Sequence, residues 1–116
     1  MLTKSLDTMN RVIEKLIQEE LRQSKLKYWD AFHSTHEGHG LIKEEFEETK
    51  DELEWCEIEL NEMLADIKNN KKTDLAPFKE YTRDLIREAI QLAAMVDKYE
   101  QSFKKELEDE YYMGVD

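Results

Sequence analysis

The chain's 116 residues suit one domain, and its 28 acidic against 17 basic side chains give a formal charge of −11. That sign repels a phosphate backbone and so excludes direct nucleic-acid readout, though not imitation of DNA. At 40% hydrophobic residues the chain is too apolar for a disordered acidic tail, and its single cysteine, Cys56, rules out an internal disulfide framework.

No basic region followed by a long apolar run opens the sequence, so neither secretion nor a membrane span is expected, and the cytoplasm is the expected compartment. One proline and three glycines leave long uninterrupted stretches without β-alternation. The expected fold is all-α: one domain over residues 1–116, an antiparallel bundle of three long helices. Long helices in so short a chain bury only a modest core, so the bundle is expected to be completed by oligomerisation, as a homodimer or homotetramer.

Helix one is expected over about 5–32. Leu6, Met9, Ile13, Leu16, Ile17 and Leu21 recur three and four apart, and Tyr28, Trp29 and Phe32 resume the stripe after the polar stretch 23–27. The junction that follows, Phe32 to Gly40, contains Ser34-x-x-Glu37, a capping-box spacing that starts helix two near His36. Gly38 and Gly40 in the first turns cost helix stability, about 1 kcal/mol each relative to alanine. They suggest the close approach of either a backbone or a ligand. His33, His36 and His39 fan around a helix and match no zinc motif.

Helix two is expected over about 36–68, with Ile42, Phe46, Leu53, Cys56, Leu60, Met63 and Ile67 as a coiled-coil-like seam. Beside that seam run Glu45, Glu48 and Glu52, and Thr49 leaves a polar gap in it. Acidic blocks of this kind are most often solvated faces, here with Lys43 and Lys50 as partial partners. A short polar turn, Asn69 to Thr73, makes helices two and three antiparallel neighbours. Helix three is expected over about 75–107, capped by Asp74 with Pro77 in its first turn, and carries Phe78, Leu85, Ala89, Leu92, Val96, Tyr99 and Phe103. Asp84, Glu88 and Gln91 form a second polar row along it. Tyr111, Tyr112 and Met113 near the C-terminus could dock on a partner subunit.

Carboxylates one turn apart on two facing helices can hold a divalent cation against a phosphorylated ligand, because Mg²⁺ takes oxygen donors and shares them with substrate phosphates. At these residues the chain resembles the MazG-like all-α nucleoside triphosphate pyrophosphohydrolases, in particular small phage-type members. These carry EExxE on one helix and ExxD on the next. Here the first motif is Glu44-Glu45-x-x-Glu48 and the second is Glu88-x-x-Gln91, within Arg87-Glu88-Ala89-Ile90-Gln91. Gln91 stands where the family has aspartate, and 39 residues separate Glu48 from Glu88.

The resemblance implies Mg²⁺-dependent hydrolysis of a nucleoside triphosphate to monophosphate and pyrophosphate. Glu45, Glu48 and Glu88 would be catalytic, and together with Gln91 would hold the metal. His36, Lys43, Arg83 and Arg87 are the candidate substrate contacts. Trp29 is placed to stack on a base, although packing in the core is the ordinary role of such an indole. The alternative is a non-catalytic acidic helical adaptor, inhibitor or DNA mimic acting through protein–protein contacts. A ferritin-like di-metal centre lacks its Glu-x-x-His pairs.

Overall fold

The computed structural model describes the backbone of residues 2–115 and the side chains of residues 5–108. Three helices follow one another: α1 (Leu2–Lys27), α2 (Thr35–Lys68) and α3 (Ala76–Val115). No strand occurs among the described residues, and no described helix is long and apolar enough to cross a membrane. Tyr111, Tyr112 and Met113 lie outside the described side chains.

The helix boundaries follow from local chemistry. α1 stops at Lys27, short of the expected Phe32, and the chain bends through residues 28–34. Leaving the helix lets Phe32 become buried against α3, where its amide donates to the Ser102 hydroxyl at 2.9 Å. Tyr28 and Trp29, expected to continue the apolar stripe, are exposed as a result. Ser34 caps α2, its hydroxyl accepting from the Glu37 amide at 3.1 Å. Glu37 reaches back one residue further than a capping box requires, accepting from the His33 amide at 3.1 Å. That amide hydrogen bond holds the Glu37 carboxyl below its ordinary range, ahead of the lesser pull of the His33 ring and of Lys98.

α2 ends in a Schellman turn. The Lys71 amide donates to the Asp66 carbonyl at 2.8 Å and the Asn70 amide to the Ile67 carbonyl at 3.2 Å, with Asn70 at φ 54° in the left-handed position. Asp74 then accepts from the Ala76 amide at 3.0 Å and starts α3. α3 runs on past Leu107, its expected end, and kinks at Phe103.

α3 is the spine: α2 packs along it antiparallel and α1 packs along it parallel, while α1 and α2 do not pair with each other. The α2–α3 register shows in Trp55 stacked on Tyr81, ring centroids 5.6 Å apart, and in Gly38 set against Tyr99. The α1–α3 register shows in Ile17 and Leu21 packed on Ile90, Ala93 and Ala94, in Ser24 beside Lys98 and in Lys25 beside Gln101.

The expected seam of α2 splits in two. Ile42, Cys56 and Met63 turn towards α3 in one row with Glu45, Thr49, Glu52 and Glu59, three and four residues apart. Phe46, Leu53, Leu60 and Ile67 are more than half exposed. Among the described side chains of α1 only Ile17 and Leu21 are buried, and Leu6, Met9, Ile13 and Leu16 face outward. Hydrophobic spacing identifies an apolar stripe but not the surface that will cover it. Within this single chain, a half-acidic row of α2 meets α3 and much of the apolar one does not.

Candidate metal centre and the adjoining cleft

Glu45, Glu48 and Glu88 converge. A carboxylate oxygen from each can be chosen so that all three lie within 4.8 Å of one another, two from adjacent turns of α2 and one from α3. The antiparallel register explains this, since Glu48 beside Glu88 and Trp55 over Tyr81 are both symmetric about Lys68. The inner oxygens of Glu45, Glu88 and the neighbouring Glu52 are buried without a hydrogen-bond partner. Thr49, the polar gap of the sequence, donates instead to the Glu45 carbonyl on its own helix at 2.8 Å.

Carboxylates at this spacing repel one another, and although Glu48 is exposed, the inner oxygens of Glu45 and Glu88 are poorly solvated; a proton or a cation would relieve that crowding. Burial pushes the Glu45 carboxyl up from 4.5 to about 7, and the charges of Glu48 and Glu88 add to the effect. Burial raises Glu88 as well, with Glu48 as the next cause. One turn below, Cys56 is the free, buried thiol of the interface. Burial raises it too, ahead of Glu52 and Asp84.

A cleft of about 780 Å³ opens between the splayed α1 and α2, with α3 as its floor. Glu44 and Glu45 stand at one end, followed by Gln91, Ala94 and Met95 along the floor, with Lys98 and the aromatic side chains of Tyr28, Trp29 and Phe32 at the other. Gln91 therefore lies between the carboxylates and the aromatic end. Trp29 is 66% exposed and meets His33 edge-on, which leaves much of the indole open to a ligand and puts it outside the core.

The four candidate substrate contacts are not brought to this cleft. His36 and Lys43 are exposed on α2. Arg87 pairs with Asp84 on its own helix, and Arg83 donates to the Lys79 carbonyl at 3.0 Å and to Thr82. Their residue types fitted an anion, but their positions on the helix turn them outward.

Comparison of the chain with protein-family models, with curated proteins and with solved structures finds no match.

Sequence reasoning passed over Lys98, the one charged side chain that is buried among the described residues, at 3% exposed. Its ammonium donates to the Ser24 hydroxyl at 3.2 Å and stands 5.0 Å from the centre of the Phe32 ring. Burial lowers its pKa, with Lys25 a lesser cause. Its spacing from Gln91 and Ala94, seven and four residues, was the available signal that it shares their helix face.

Proposed function

We propose that this chain is a Mg²⁺-dependent nucleoside triphosphate pyrophosphohydrolase, acting as the MazG-like enzymes it resembles in Glu44-Glu45-x-x-Glu48 and Glu88. The observation that carries the reading is the meeting of three carboxylates from two helices within 4.8 Å, with two of them keeping a buried oxygen unpartnered. The donor set is all hard oxygen and fits Mg²⁺, which prefers a few carboxylates plus substrate phosphates to a closed protein cage. Glu45, Glu48 and Glu88 would hold the ion, with the Gln91 amide oxygen available from the cleft floor. Mg²⁺ bound there supplies counter-charge to the triphosphate and lowers the pKa of a water.

One carboxylate of the cluster would take the proton of the attacking water. Water adds at phosphorus, the bond to the pyrophosphate leaving group breaks, and nucleoside monophosphate and pyrophosphate result. Positive charge along the cleft comes from Lys27 and Lys98, in place of the expected Lys43, Arg83 and Arg87.

The proposal includes a second copy of the chain. Accessible surface is 9500 Å² for 13.9 kDa, where a folded monomer of that mass exposes about 6,700 Å². The excess, about 2,800 Å² per chain and so about 5,600 Å² for a pair, is at the upper end of obligate homo-oligomer interfaces, roughly 2,000–5,000 Å² or more summed over both partners. It includes two apolar faces: Leu6, Met9, Val12 and Leu16 on α1, and Phe46, Leu53, Leu60 and Ile67 on α2.

The test is Mg²⁺-dependent pyrophosphate release from a panel of nucleoside triphosphates. Glu48→Gln is expected to lower it by about 100-fold or more, and Mg²⁺ to raise the melting temperature of the wild type but not of the variant. The exposed apolar faces favour a second reading, a non-catalytic acidic adaptor or inhibitor. That reading stands if millimolar Mg²⁺ gives neither release nor a melting shift.

A further inference from the structure

Lys98 poses a problem that the carboxylate cluster does not solve. A buried ammonium costs several kcal/mol unless its charge is paired and its donors are satisfied. No carboxylate among the described residues lies within ion-pair distance of Lys98, the charges of Glu37 and Asp30 acting on it only from further off, and of its three N–H donors one is taken by Ser24. The Phe32 ring face offers a weak acceptor. Lys98 also lines the cleft, at the aromatic end, so its remaining donor capacity lies where a ligand can use it.

The distance from the metal centre limits what that ligand group can be. Ten residues of α3 separate Glu88 from Lys98, about 15 Å of helix rise. A triphosphate held at the carboxylates does not extend that far with its phosphates, whereas the nucleoside half of the same molecule runs along the floor of Gln91, Ala94 and Met95 towards the aromatic walls. The group that arrives at Lys98 is then the edge of the base. Lysine satisfies such an edge where it presents acceptors, as guanine does with O6 and N7 and as uracil and thymine do with O4. Adenine keeps the N7 acceptor but has an amino donor where guanine has O6, and cytosine has an amino donor where uracil has O4.

We infer that Lys98 is the base-reading residue of the cleft, donating to a keto oxygen, and that it makes the site selective for keto bases: guanine or hypoxanthine, and uracil or thymine. The inference rests on the nucleotide reading of the cleft but not on turnover. A site built to donate a hydrogen bond to a ligand atom discriminates strongly against analogues that lack it, because the buried donor is then left unsatisfied.

The experiment is calorimetric titration of the 116-residue chain with the nucleoside monophosphates GMP, UMP, AMP and CMP, without divalent cation. GMP and UMP are expected to bind at least ~10-fold more tightly than AMP and CMP. The monophosphate of 2-aminopurine riboside, which is guanosine without the 6-oxygen, should fall to the level of AMP in the wild-type protein, a comparison that needs no variant. Lys98→Met should remove the keto preference and Lys98→Arg should retain it, with circular dichroism confirming that each is folded. Equal affinities for the four wild-type ligands, no binding at all, or a keto preference that survives in Lys98→Met would each overturn the inference. Keto-selective binding with no Mg²⁺-dependent turnover would uphold it while the hydrolase reading fails.

Discussion

The two faces of α3 carry opposite kinds of interface. Towards α1 its core is small and apolar: Ile17 and Leu21 close on Ile90, Ala93 and Ala94, and the one buried charge, the Lys98 ammonium, lies a turn beyond them beside Ser24. Towards α2 it is long and half acidic, with three buried carboxylate oxygens that have no partner. The first face gains free energy by removing apolar area from water. The second loses some by desolvating and crowding like charges. The contrast separates what holds the fold from the site proposed to hold a ligand.

The largest expected effect lies on the apolar face. Leu21 is 3% exposed and sits at the centre of the α1–α3 contact, so Leu21→Ala should cost about 3 kcal/mol in urea unfolding. A loss under about 1 kcal/mol would mean that α1 adds little to the stability of the α2–α3 pair. Gly38 sharpens the other side of the comparison. A Cβ built there would come within 2.6 Å of the Tyr99 ring and 2.9 Å of Phe32. Gly38→Ala should therefore lower stability by about 1–2 kcal/mol despite alanine's better helix propensity. At Gly40 nothing lies within 4 Å, so the same exchange there should be neutral or stabilising, and the pair of variants controls for propensity.

The smallest effect is electrostatic and its sign is fixed. With the Glu45 carboxyl raised to about 7, its proton is held more tightly in the folded chain than in the unfolded one. The stability it contributes is complete below pH 4.5 and is lost as pH rises through 7. Without divalent cation, Glu45→Gln should flatten the decline in unfolding midpoint between pH 5 and 8. The size is limited by the solvent exposure of the group. Mg²⁺ affinity should run the other way and strengthen as pH rises through 7, because the ion competes with that proton.

Much of the local structure was legible from residue types. Ser34 and Asp74 mark the helix starts because their side-chain oxygens accept from first-turn amides, and Asn69-Asn70 marks the end of α2 because asparagine tolerates the left-handed position. The pairing of Glu45 and Glu48 with Glu88 came from the motif resemblance and not from the turn, because the register is symmetric about Lys68, the last residue of α2, and not about the middle of the connection to Ala76. Less legible were the end of α1 and the burial of the α2 seam. Whether Phe32 continues a helix or folds down onto Ser102 depends on a surface supplied seventy residues later.

What the sequence alone determined is three long helices, an α2–α3 hairpin, a net negative charge and a core too small for the chain's apolar content, since period, caps and composition are properties of neighbouring residues. Only the tertiary structure decided which of two adjacent stripes on α2 meets α3, that Arg83 and Arg87 point away from the cleft, and that Lys98 is buried within it. Those outcomes depend on rotations of whole helices about their axes. A turn of about 100° per residue carries any side chain from core to solvent without changing the periodicity from which the helix was read.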